Sequence, residues 1–97
     1  MESISDRWER LTEFGYGMCK FEDVDEKLSQ RPDLHAFIRL DQWFPDDTDI
    51  VTSAEHDQIY LGVKETDVES LSDEQIVELS RCGVWLDSEF YCLSMFV

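Results

Sequence analysis

The sequence predicts an α+β domain: about three helices packed on one face of an antiparallel sheet of four to five strands. Three observations carry this. Near the start, Ile4, Trp8, Leu11, Phe14 and Met18 recur at helical spacing and form one apolar stripe. In the middle the period changes to two, with Leu34, Ala36, Ile38 and Leu40 alternating with His35, Phe37, Arg39 and Asp41. A capping box at Ser72 and Gln75 then opens a second well-marked helix.

Taken in order, Ser3 or Ser5 caps the first helix and Gly15 or Gly17 ends it. Phe21 to Gln30 reads as a second helix. Asp23 and Glu26 imitate a capping box at its start, and Pro32 closes it by disfavouring helical geometry at Arg31. Leu34 to Leu40 reads as a strand, which Trp43 and Phe44 can extend. Pro45-Asp46-Asp47-Thr48-Asp49 is a turn by composition. Ile50 to Ser53 and Gln58 to Val63 read as two more strands, completing a three-strand meander. A helix from about Asp73 to Cys82 follows. Leu71 and Ile76 staple its start, and Gly83 stands where a left-handed cap belongs. Val84-Trp85-Leu86 and Phe90 to Val97 read as a closing hairpin. The order is α-α-β-β-β-α-β-β, in one domain over 1–97 with no internal repeat or linker. The core candidates are Trp8, Leu11, Phe14, Ile38, Ile76, Leu79, Trp85, Phe90 and Leu93.

With 97 residues, 42% of them hydrophobic, the chain can build one core without a disulfide or metal staple. The charge is the outlier. There are 23 Asp and Glu against 8 Lys and Arg, a net of -15, where a small soluble domain carries a magnitude of roughly 2–8. Such a surface excludes direct binding to nucleic-acid phosphates and opposes adsorption to an anionic membrane. Between Asp41 and Ser80 there are 12 acidic residues against Lys64 alone, a net of -11 in 40 residues. The candidate partner-binding residues are Asp41, Asp46, Asp47, Asp49, Glu55, Asp57, Glu65, Asp67, Glu69, Glu74 and Glu78. Asp73 and Glu74 are both discounted, because carboxylates in a first helical turn are favoured by the helix dipole; of the two only Glu74 stays among the candidates. In an extended segment Asp47 and Asp49 would lie on one side about 6.6 Å apart. Duplex DNA carries a phosphate every roughly 3.4 Å along each strand, so carboxylates on two or three neighbouring elements can imitate a phosphate row.

Nothing in the chain marks a catalytic or metal centre. His35 reads as an exposed or satisfied sheet residue, and His56 lies in a Glu55-His56-Asp57 turn. An EF-hand begun at Asp47 fails, because Val51, Thr52 and Gln58 stand where ligands and a glycine are needed. Gly15-Tyr16-Gly17 is too short for a phosphate loop. No cofactor and no enzymatic activity are expected. Cys19, Cys82 and Cys92 are odd in number and widely spaced, which fits reduced thiols in the cytoplasm better than a secreted disulfide framework. The N-terminal residues lack the pattern of a signal peptide.

In size, charge and lack of catalytic motifs the chain resembles the small acidic inhibitors of phages and mobile elements: DNA mimics, anti-CRISPR and anti-restriction proteins, and inhibitors of uracil-DNA glycosylase. That resemblance implies a phage protein acting in the host cytosol as an inhibitor, bound to the basic nucleic-acid-binding surface of a target protein. An immunity protein or antitoxin that neutralises a basic nuclease has the same look. A small adaptor whose acidity serves only solubility is the third reading. The last strand is apolar on both faces, and some of Tyr91, Met95, Phe96 and Val97 are expected to stay exposed. Self-association into a homodimer through that strand is one solution and the one favoured. The other is that the patch meets the partner beside the acidic face.

Overall fold

The computed structural model describes residues 2–14, 20–45, 49–55, 57–87 and 91–96. Ser3 caps the first helix, α1 (Ile4–Glu9), by accepting from the Asp6 N–H at 3.1 Å. The chain continues as a π turn over Arg10–Phe14. Ile4, Trp8 and Leu11 of this run are buried, as their spacing requires. Gly15, Gly17 and Met18 lie outside the described residues, as do the side chain of Phe14 and all of Phe90.

The next segment corrects the sequence reading twice. Phe21 to Gln30 does not form a helix beyond a 3-10 turn at Phe21–Asp23. Side chains take over the backbone groups there. Lys27 Nζ donates to the Val24 carbonyl at 3.0 Å, and the Leu28 N–H donates to His35 Nδ1 at 3.1 Å. Leu34 to Leu40 is not a strand but part of a 12-residue helix, α2 (Pro32–Trp43). Pro32 opens it from the first turn, where its missing N–H costs nothing, rather than closing the segment before it. The buried stripe is Ala36 and Leu40, with Trp43 and Phe44 packed beside it, a spacing of 4, 3 and 1. Leu34, an inward member of the expected strand, is 46% exposed.

From Ile50 the predicted strands and the capped helix form, with the first strand shifted to Val51–Glu55 and an extra helical turn at Glu65–Val68 that the sequence did not predict. β1 (Val51–Glu55) and β2 (Gln58–Lys64) form an antiparallel hairpin. A single-turn helix, α3 (Glu65–Val68), follows directly; Asp67 caps it by accepting from the Lys64 N–H at 3.2 Å. α4 (Asp73–Arg81) has the predicted reciprocal box: Gln75 N–H to Ser72 Oγ at 3.2 Å and Ser72 N–H to Gln75 Oε1 at 2.8 Å. Gly83 leaves the helix at φ +88°, a region open to glycine. β3 (Val84–Asp87) and β4 (Cys92–Phe96) complete a four-strand antiparallel sheet of order β1-β2-β4-β3 among the described residues. The meander expected of three strands is thus a two-strand hairpin, its first member having become α2.

The register assigns two faces. Ile59, Leu61 and Val63 of β2, Leu93 and Met95 of β4, and Val84 and Leu86 of β3 share one face. They join Ile4, Trp8, Leu11, Ala36, Leu40, Val68, Leu71, Ile76, Val77 and Leu79 in one buried cluster. All four helices contribute to that cluster or flank it. Tyr60, Ser94 and Trp85 alternate onto the other face, with Cys92, Phe96 and Lys64.

Candidate functional site

The outer sheet face is where exposed apolar groups and carboxylates meet. Phe96 is 69% exposed and Tyr91 66%. The Phe96 and Trp85 rings tilt against one another, centroids 4.6 Å apart. Beside them, β1, β2 and the start of β4 floor a groove of about 750 Å³, with α3 as one wall. Tyr60, Gly62 and Cys92 lie along its floor, and Tyr91 stands at its edge. Glu55, Glu65 and Glu69 also line it, opposed by Lys64 alone.

Local geometry builds this groove. A register shift between Val51 and Ser53 bends β1. Gly62 allows the chain before β1 to close in: its N–H donates to the Ile50 carbonyl at 2.8 Å, and a Cβ there would overlap the Asp49 carbonyl oxygen. The Glu65 N–H donates to the Tyr91 carbonyl at 2.9 Å, which ties α3 to the entry of β4. Tyr91 itself has φ 57°, in the left-handed region. A bulky L-residue there costs roughly 1–2 kcal/mol. Behind the groove, burial pushes the Cys92 thiol above its ordinary value, and the Asp87 carboxylate adds to that push against a smaller pull from the Ser94 hydroxyl. The thiol is therefore held protonated at neutral pH.

The predicted acidic residues separate into distinct places. Asp46 and Asp47 lie outside the described residues. Glu55, Glu65 and Glu69 line the groove. Asp57 is exposed in the β1–β2 turn, Asp49 is exposed ahead of β1, and Asp41 is exposed near the end of α2. Asp67 is engaged as the cap of α3. Glu74 faces a second, smaller depression of about 340 Å³ with Asp25, Glu26, Glu78, Arg39 and Arg81. There the signs are mixed.

Glu78 is structural in its contacts. Its Oε2 receives Arg39 Nε at 2.6 Å and meets His35 Nε2 at 2.8 Å. Because His35 Nδ1 accepts from the Leu28 N–H, the ring proton sits on Nε2 and is donated to Glu78. His35 is fully buried, with Phe21 edge-on at 5.9 Å. Of the two readings, exposed or satisfied, the residue takes the second, and it does so on a helix that braces α4 rather than on a strand. A comparable brace was missed: Arg7 reaches from α1 to Asp73 Oδ1 at 2.7 Å and to the Leu71 carbonyl at 2.8 Å. It fixes the first turn of α4 at both its carboxylate and its preceding carbonyl. Asp73 is thus engaged internally, in keeping with its separation from the candidate set.

Among the described residues no group of three or more His, Cys, Asp or Glu is placed to share a metal ion, and no helix is long and apolar enough to cross a membrane. The chain matches no family model, and no curated protein or solved structure is significantly similar to it.

Proposed function

We propose that this protein is a non-enzymatic acidic binder that occupies the basic nucleic-acid-binding surface of another protein and so blocks it. One observation carries the reading. Of the eleven carboxylates singled out in the sequence, seven face solvent or the groove rim: Asp41, Asp49, Glu55, Asp57, Glu65, Glu69 and Glu74. Along the sequence Lys64 is the one Lys or Arg between Asp41 and Ser80, so this span is rich in carboxylates and poor in bases. Carboxylates deployed this way steer a basic partner into contact and fix its register more than they add raw affinity. The open sheet face beside them supplies the apolar area that charge alone lacks. The setting is a cytoplasm shared with the target, as for a phage-encoded anti-defence protein such as an anti-CRISPR or anti-restriction inhibitor. An immunity protein against a basic nuclease uses the same surface and is the alternative.

The test is capture and competition. A protein captured from host lysate at low salt is purified, and its binding to this chain is measured against duplex DNA. Displacement of the chain by DNA, with affinity falling steeply as salt rises, is the expected result. A captured partner that binds both at once overturns the reading.

A further inference from the structure

We propose that the groove over β1, β2 and α3 is the seat of an extended, arginine-bearing segment of the partner. This rests on the reading of the partner as basic, and adds where and by which side chain it is held. Two features of the groove select the occupant. Its lining holds three carboxylates and one ammonium, so it attracts a cation. Its floor is a sheet face rather than a charged surface, and it ends at the exposed ring of Tyr91. Arginine suits both features. Its planar guanidinium stacks on an aromatic face and still presents a fork of donors to a carboxylate, which a lysine ammonium cannot do together. Glu65 and Glu69 stand four residues apart, spanning α3 and the residue after it, so they lie on one side of the turn. No ion pair of standard geometry engages either among the described residues.

The second depression, between α4 and the loop at Asp25, is the competing location. It already contains Arg39 and Arg81, and Glu78 in it is committed to Arg39 and His35. An incoming guanidinium would meet two others there. The groove has no arginine in its lining.

Tyr91 makes the proposal separable from a structural role. Its ring is mostly solvent-facing, and its backbone occupies a region that asparagine tolerates better. A residue kept there for stability alone would be replaced by asparagine at a loss. A residue kept there for its ring would be replaced with no loss of stability and a loss of binding.

The probe is a blocked peptide with arginines at two alternate positions, paired with a twin in which both are citrulline. Binding to the nitrogen-15-labelled chain is followed by amide shifts at low ionic strength. The expected result is a cluster of shifts at Gly62, Thr66, Glu69 and Tyr91, with the citrulline twin about tenfold weaker or worse. Glu65→Gln with Glu69→Gln weakens the arginine peptide similarly, and Tyr91→Asn weakens it with an unchanged or raised Tm. Shifts confined to Glu26, Glu74 and Arg81 overturn the groove and leave the basic-partner reading standing. Equal binding of the twin overturns the cationic occupant. Groove shifts that grow with protein concentration and no peptide make a second copy the occupant and overturn the proposal. A Tyr91→Asn variant that binds as the parent does overturns the stacking arrangement. No shift at any site overturns the groove proposal and leaves the basic-partner reading to the capture and competition test.

Discussion

The two faces of one strand, β4, end in different surroundings. Leu93 and Met95 point to the helices and are 0% and 3% exposed; on the opposite face Ser94 is also 0% exposed, and Phe96, at the strand's end, opens to solvent at 69%. The sequence is apolar on both sides of this strand, so hydrophobicity alone does not distinguish them. Helical cover does. α1, α2, α3 and α4 all contribute to the cluster on the inner face, and the outer face is left to its own side chains and a rim of carboxylates. The inner face holds the fold together, and the outer face has spare surface. Apolar side chains mean stability where they are covered and contact where they are not.

The largest effect expected from breaking this contrast is in the core. Leu79→Ala or Leu93→Ala removes a fully buried side chain and should cost roughly 2–5 kcal/mol in urea unfolding. Phe96→Ala on the outer face of the same strand should cost under about 1.5 kcal/mol, chiefly its pairing with Trp85. Equal losses at Leu93 and Phe96 would erase the distinction between the faces.

Gly62→Ala is next. The new Cβ must displace the Asp49 backbone, so a loss of about 1–3 kcal/mol is expected, together with changed amide shifts along β1. An alanine variant with parental stability and shifts would mean that the approach of the Asp49–Ile50 segment can relax freely.

The buried thiol gives a pH-dependent test of the covered side. Burial, helped by the nearby Glu78 carboxylate, pushes Cys82 from its ordinary 9.0 up to about 12. The folded value lies above the unfolded one. Its contribution is therefore complete below about pH 9 and is lost as pH rises towards 12. Over that window the loss approaches ~1.4 kcal/mol per pH unit. Comparing the parent with Cys82→Ala should show a steeper alkaline decline for the parent. In native protein at neutral pH, a maleimide should label Cys92 before Cys82, since Cys92 is half-buried at the groove and Cys82 is buried in the core.

Salt produces the smallest effect. Raising ionic strength screens self-repulsion among the carboxylates, so Tm should rise by a few degrees at most. A chain that unfolds below molar salt would instead point to a halophilic surface.

The sequence was legible where a local signal has one physical meaning. Ser72, Gln75, Leu71 and Gly83 each perform one job at a helix end, and α4 stands where they put it. The hairpin of β3 and β4 and the two-sided character of the last strand were equally plain. α2 was not, because its seven residues from Leu34 to Leu40 alternate by chance. The better signals were Pro32 with Asp33 in a first turn, and Ala36, Leu40, Trp43 and Phe44 at helical spacing. The non-helical stretch before it depends on Lys27 and His35 bonding backbone groups three and seven residues away, which hydrophobic periodicity does not encode. The acidic residues were legible in number but not in place. Glu78 differs from Glu65 and Glu69 only in what the fold brings near it, and Tyr91 carries no motif at all. The groove edge formed by Tyr91 exists because α3 lands beside the entry to β4, a contact between residues 65 and 91.

The strand order has a consequence for how the molecule is made. β4 lies between β2 and β3, so neither the early hairpin nor β3 has its inner neighbour until residues 92–96 are available. During synthesis, β1 with β2 and α4 with β3 must wait as separate pieces, each with an uncovered row of backbone donors and acceptors. The strong negative charge is well suited to that interval. Like-charged chains repel one another, which disfavours pairing between such open edges before residues 92–96 close the sheet.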